Sequence, residues 1–226
     1  YEILSGLVGS EMCIRDRNSR YAYGNQPAIL TWNLTRLAET LIPLVNKDKD
    51  ESIKLLTEVL QLIKPVYTNY WLSLMRSKIG LSKEEQNDIE LITNLLEIME
   101  EEKADFTNSF RLLSKALIGD TQSIRKLFNN SRRFDGWIMI WQERISQEGV
   151  TEEKIASSMD KVNPMYIPRN HKVEEALKAS VFNNDMEPFT KLYSVLQNPY
   201  HEIIGLESFA EPAPESNIPY KTFCGT

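Results

Sequence analysis

Apolar residues recur at three- and four-residue spacing along most of this chain, the period of an α-helix with one buried face. Ile29, Leu30, Leu34, Leu37, Leu41 and Leu44 form the first such stripe, with Pro27 at a first-turn position where its missing amide costs nothing. A second helical stretch begins near Asp50 and carries Ile53, Leu56, Val59, Leu60, Ile63, Val66, Tyr67, Tyr70, Leu74 and Met75. Pro65 lies inside it and predicts a kink or break. Ser82-Lys-Glu-Glu85 fits a capping box ahead of the stripe Ile89, Ile92, Leu95, Leu96 and Met99, which predicts a third helix opening at Ser82. Further helices are expected at about 107–118, 121–129, 135–147, 151–160, 171–182 and 186–196, with Gly119, Gly136 and Gly149 as boundaries or weak points. Alternating strand patterns are missing, so the expected fold class is all-α.

Two proline turns bracket the last pair of helices. Asn163-Pro-Met-Tyr-Ile-Pro-Arg-Asn-His171 precedes them and Gln197-Asn-Pro-Tyr200 follows. Each proline fixes its own φ and pushes its predecessor out of the helical region, so Asn163 and Ile167 should be extended. After residue 200 the composition turns to Glu211-Pro-Ala-Pro-Glu-Ser-Asn-Ile-Pro219, which predicts an extended, Pro-rich tail over 201–226.

Composition narrows the partners. Lys plus Arg number 26 against 32 for Asp plus Glu, a formal charge of −6, with both signs interspersed. There is no basic stripe to track nucleic acid and no apolar run near the roughly 18 residues needed to span a bilayer, so neither nucleic acid nor membrane is expected as a partner. Of the two cysteines, Cys13 and Cys224, neither sits in a metal-ligand spacing, and a reducing compartment is compatible, so the expected location is the cytoplasm of a bacterium or, in a eukaryote, the mitochondrion.

Most residues that suggest chemistry have plainer readings. Glu97, Glu100, Glu101 and Glu102 read as a solvated helix face rather than an acid/base pair. Trp32, Trp71, Trp137 and Trp141 read as core anchors. His171 and His201 lack the further ligands a metal requires, and His171 is expected on the surface or in a capping role beside Asn170, which can cap a helix start. Arg169 is placed to hold a carboxylate of a neighbouring helix. Arg132-Arg133 has no glycine loop beside it to make a phosphate site. In Tyr23-Gly-Asn-Gln-Pro27, Gly24 supplies a bend and Asn25 or Gln26 a cap for the helix that Pro27 opens.

Four blocks in order carry a family resemblance. They are Arg20-Tyr-Ala-Tyr-Gly-Asn-Gln-Pro-Ala28 leading into Trp32-Asn-Leu, Asp105-Phe-Thr-Asn-Ser-Phe110, the motif Asn163, Pro164, Tyr166, Pro168, Arg169, Asn170 and His171 with Val173-Glu-Glu-Ala-Leu177, and the tail Tyr220-Lys-Thr-Phe-Cys-Gly-Thr226. With them the chain resembles the C-terminal part of the selenoprotein O family, protein adenylyltransferases with a protein-kinase-like (pseudokinase) fold. The resemblance implies helices of the C-lobe type over 18–200. It also implies a parent enzyme that transfers AMP from ATP to Ser, Thr or Tyr hydroxyls with Mg²⁺ or Mn²⁺. In the family, the phosphate-holding lysine, arginines and glycines, the catalytic Asp-Asn pair and the metal-binding Asp all precede the Tyr-Gly-Asn-Gln-Pro block. No catalytic, cofactor or metal residue is therefore expected in this chain, and its partners are the N-terminal kinase-like lobe of the same protein and the parent's protein substrates.

Residues Tyr1–Arg17 match nothing expected ahead of that block and read as a non-native leader from sequence assembly. Cys224 stands where the family carries a terminal selenocysteine or cysteine thought to pair with a cysteine of the activation segment. A redox-regulatory thiol and an uninvolved free thiol both remain open for it. The alternative to the enzyme reading is a non-catalytic helical interaction module.

Overall fold

A computed structural model describes residues 25–214, and every regular element among them is helical. Tyr23, Gly24 and Cys224 lie outside the described residues. The chain divides into two units, 25–74 and 75–214.

The first unit holds α1 (Gln26–Val45), α2 (Lys49–Gln61) and the part of α3 (Ile63–Lys78) up to Leu74. Pro27 lies in the opening turn of α1, as its chemistry requires, and Asn25 occupies the N-cap position without a side-chain capping bond. The expected break near Pro65 falls at Leu62: a prolyl ring at 65 supplies no amide to the carbonyl of Gln61 and crowds it. Asp48 caps α2 by accepting from the amides of Asp50 and Glu51. The helices α1 and α2 pack together over Ala38 and Ser52, whose hydroxyl donates to the carbonyls of Asn46 and Asp48. Trp32, expected as a core anchor, is instead 47% exposed, with the Arg36 guanidinium 5.7 Å from its ring.

The second unit begins at Met75 and contains α4 (Asp88–Glu101), α5 (Phe106–Leu117), α6 (Thr121–Leu127), α7 (Arg132–Ser146), α8 (Glu152–Val162), α9 (Asn170–Asn183) and α10 (Glu187–Gln197), with a 3₁₀ turn at Glu207–Phe209. The helix α7 presents Phe134, Trp137, Ile138, Trp141 and Ile145 on one face. Its aromatic rings continue a stack from Phe128, with Phe128 and Phe134 4.0 Å apart and nearly parallel. Each indole finds a carbonyl: Trp137 donates to Leu91 and Trp141 to Ile79, both at 2.8 Å. The stack therefore ties α7 to α4 and to the end of α3 while burying its polar edges at no loss. Gly136 lies inside α7, which starts three residues before the expected boundary.

Gly80 has φ +82, and an added Cβ would lie 2.6 Å from Ile155 Cγ2 and 2.9 Å from Met159 Sδ. Only glycine lets the chain turn there in contact with α8.

The capping box at Ser82 does not form. The helix starts at Asp88, and Ser82 gives both its amide (2.9 Å) and its hydroxyl to Glu148, which also accepts the Lys83 amide. A charged acceptor delivered by the end of α7 outcompetes a local cap. Asp88 then receives the Glu85 amide, reversing the expected direction. Asn170 is likewise the first residue of α9 and not its cap; the N-cap position falls on Arg169, whose side chain is committed elsewhere. Order also extends past residue 200. Ile203, Leu206, Phe209 and Ala210 pack on a small core of Tyr166, Ala176, Leu192 and Val195 between α9 and α10, while 211–214 are exposed and without regular structure.

Candidate functional site

Two of the sequence blocks meet in the second unit. Asp105 is extended ahead of α5 and its carboxylate accepts the Asn108 amide at 2.9 Å, an ordinary N-cap. The same carboxylate receives both terminal nitrogens of Arg169, at 2.5 and 2.9 Å. Arg169 Nη2 reaches the Ala210 carbonyl as well, at 3.0 Å. One buried two-point ion pair thus joins the start of α5, the entry to α9 and the segment after α10. Arg169 Nε is buried without an acceptor.

Asn163 is extended, as its proline neighbour requires, and only 1% exposed. Its side-chain oxygen accepts from Lys78 Nζ (2.9 Å), its amide donates to the Lys78 carbonyl (2.8 Å), and its own carbonyl accepts from Arg111 Nη1 (3.1 Å). Arg111 Nη1 also reaches the carbonyl and carboxylate of Asp160, so a cation closes the C-terminal end of α8 where free carbonyls concentrate negative potential. Lys78 lies 4.8 Å from the Phe110 ring centroid, and burial pushes its pKa from 10.5 down to about 7. Tyr166 exchanges two hydrogen bonds with the backbone of Ile203, and the amides of Met165 and Tyr166 both donate to the Pro199 carbonyl. The two proline turns are therefore stitched to each other. Pro164 and Pro168 are half-buried parts of that connection.

A second charged cluster holds Asp88 between Arg76 (2.7 Å) and Arg144 (2.9 Å), with Arg144 continuing to Glu148 (2.7 Å). Burial raises the pKa of Asp88, but the bonds from Arg144, the Glu85 amide and Arg76 outweigh it and the net shift is downward. For Glu148 burial is likewise overcome, by Ser82, Arg144 and the Lys83 amide. Both carboxylates stay ionised at neutral pH.

The other sequence candidates lie apart from these clusters. Asn25, Gln26 and Pro27 belong to the first unit. His171 is half-buried, and its pKa is lowered by burial first and then by Lys172 and Arg169. Glu97 and Glu101 are exposed and paired with Arg133. Lys78, Arg111, Asp88, Arg144 and Glu148 were not singled out from the sequence. One signal was present for Arg144: it occupies a position that the apolar stripe of α7 assigns to the interior.

Chemically, this arrangement fastens helices. Its carboxylates are each bound to guanidinium or backbone donors, and among the described residues no group of three or more His, Cys, Asp or Glu side chains converges as a metal site. Two open cavities flank it. One of about 720 Å³ is lined by Gly80, Ser82, Glu148, Lys154, Ile155 and Lys161, and one of about 380 Å³ by Arg111, Ser157, Asp160, Lys161, Tyr200, His201 and Glu202. No helix among the described residues is long and apolar enough to cross a membrane.

Over residues 12–197 the chain matches the family described as "Protein adenylyltransferase SelO". It is 45% identical to the protein nucleotidyltransferase YdiU of Pelagibacter ubique over 211 residues, which is 93% of this chain and 42% of that relative. It is 44% identical to the protein of the same name from Geobacillus kaustophilus and 41% identical to that of Maridesulfovibrio salexigens, covering 43% of each and 93% of this chain. The chain spans about two fifths of the length of these curated relatives.

Proposed function

The chain belongs to the SelO family of protein adenylyltransferases, and on that premise we propose that it forms the helical C-terminal part of a kinase-like nucleotidyltransferase that moves AMP from ATP to Ser, Thr or Tyr hydroxyls of proteins. Its share of the work is structural: it braces the catalytic part and carries no catalytic group. The observation that carries this reading is the fastening of the two central family blocks by Arg169 to Asp105 and by Lys78 and Arg111 to Asn163. Side chains so committed hold geometry and are not released for proton transfer or nucleotide binding.

Among the described residues, the buried carboxylate clusters do not fit ATP with Mg²⁺ or Mn²⁺. Such a site needs free carboxylates for the metal and free cations for the phosphates, whereas Asp88, Asp105 and Glu148 are each saturated by arginines or amides. We therefore place nucleotide binding in the remainder of the longer polypeptide. Cys224 is proposed as the regulatory thiol of that larger protein.

The test is a chimera in which the C-terminal region of the Pelagibacter ubique relative is replaced by residues 18–226, assayed with ATP labelled at the α-phosphate. The reading predicts protein-bound label with the chimera and none with the 226-residue chain alone. A folded chimera that transfers nothing favours the helical interaction module, and label from the chain alone overturns the absence of catalytic groups.

A further inference from the structure

The outer face of α7 carries a pattern that the interior of the chain does not explain. Gly136 sits within the helix, where glycine is less favourable than alanine, yet a Cβ added there would meet nothing within 4 Å. Its φ is not positive, so no turn requires it either. Met139 and Ile140 beside it are 69% and 62% exposed. At about 100° per residue, Arg132, Gly136, Met139, Ile140 and Glu143 fall in one exposed stripe, opposite the buried stripe of Phe134, Trp137 and Trp141.

The charges of this stripe stand at the wrong ends for an isolated helix. Arg132 opens α7 and Glu143 lies in its last turn, where the helix dipole disfavours a cation and an anion respectively. Among the described residues neither side chain has an ion pair or a hydrogen bond.

Turned end for end, the stripe complements itself. About a two-fold axis level with Ile138, position 136 of one copy faces position 140 of the other, so each Ile140 side chain enters the gap left over Gly136. Arg132 then falls one residue from Glu143 of the other copy, within reach of its long side chain, and the two helix dipoles oppose. A parallel pairing would instead set Arg132 against Arg132.

We propose that this face of α7 is a homodimer interface, on which a second copy of the chain packs antiparallel with Ile140 over Gly136 and Arg132 beside Glu143. It is isologous, as a two-fold contact must be. One helix face buries less than the roughly 1,200–2,000 Å² of a standard interface, so the association is weak, with a Kd of about 100 µM.

Sedimentation equilibrium of the 226-residue chain from about 5 to about 500 µM spans that value and tests the proposal. A reversible monomer–dimer equilibrium is expected. Gly136→Leu fills the gap and should weaken it at least about tenfold. Arg132→Glu and Glu143→Arg should each weaken it about tenfold, because two attractive pairs become repulsive, and the double variant should return to within about threefold of the original. Gly136→Ala separates fold from interface: it should raise the urea midpoint, as a better helix former facing open space, while weakening the dimer. A monomer throughout the range overturns the proposal and leaves the face to another part of the longer polypeptide. Dimers indifferent to Gly136→Leu would place the association on a different apolar face and overturn it as well. So would a double variant that fails to recover, or a fall in the urea midpoint of Gly136→Ala.

Discussion

Replacing Arg169 with methionine should destabilise the second unit more than any surface change. The carboxylate of Asp105 would keep its capping bond to Asn108 but lose both guanidinium donors, and the Ala210 carbonyl would lose one. Removing one partner of a buried ion pair costs about 3–5 kcal/mol, because the remaining charge stays buried. Domains of this kind are stable by about 5–15 kcal/mol in total, so the variant should approach the limit of folding. With a urea dependence of about 2 kcal/mol per molar, the midpoint should fall by about 2 M. Trp137 and Trp141, buried in the same unit, report the transition by fluorescence. Asp105→Asn retains a capping oxygen, so Arg169→Met/Asp105→Asn should lose about 2 kcal/mol less than the two single changes added together. A midpoint shift below about 0.5 M, or strict additivity, would refute a pair that acts as a buried fastener.

Three further outcomes are expected. Gly80→Ala adds a Cβ at a positive φ and against Ile155 and Met159, so it should cost roughly 2–5 kcal/mol in urea unfolding, and a neutral result would mean that turn relaxes freely. Lys78 has a folded pKa of about 7 against 10.5 in the unfolded chain, so between these values the unfolded state binds more protons; stability should rise with pH across that window by at most about 1.4 kcal/mol per unit, and Lys78→Met should flatten the rise seen from pH 7 to 9.5. Ser82→Ala should cost about 1.5–3 kcal/mol through the loss of its bond to buried Glu148. It should leave hydrogen exchange at the Leu91 amide unchanged, whereas faster exchange there would restore the capping role that the sequence suggested.

Helical periodicity was legible because the interior helices carry one apolar face each, and the Pro65 break and the extended Asn163 were legible because proline acts on its immediate neighbours. What escaped depended on partners far along the chain. Ser82 looks like a cap until Glu148, 66 residues on, supplies a better acceptor. Lys78 looks like an exposed helix terminus, yet Asn163, 85 residues on, draws its ammonium into the interior beside Phe110. Trp32 reads as core because its helix has an apolar stripe, but a stripe states only that a face is apolar and not that a layer covers it. Arg169 was legible as a carboxylate-holding residue, while the identity of that carboxylate as the α5 cap was not. Arg111 lies in a 12-residue helix that buries polar residues such as Ser109 and Ser114 beside its apolar ones, so no simple stripe marks it.

The proposed function makes this chain the helical part of a longer adenylyltransferase. Sequencing the genomic locus across Asn18 tests it most directly. The expected result is an open frame that continues upstream into a glycine- and arginine-rich nucleotide lobe matching the rest of the YdiU relatives. A frame that instead opens within or just ahead of Tyr1–Arg17, with no such lobe before it, would contradict the claim and leave a helical protein without an enzyme to brace.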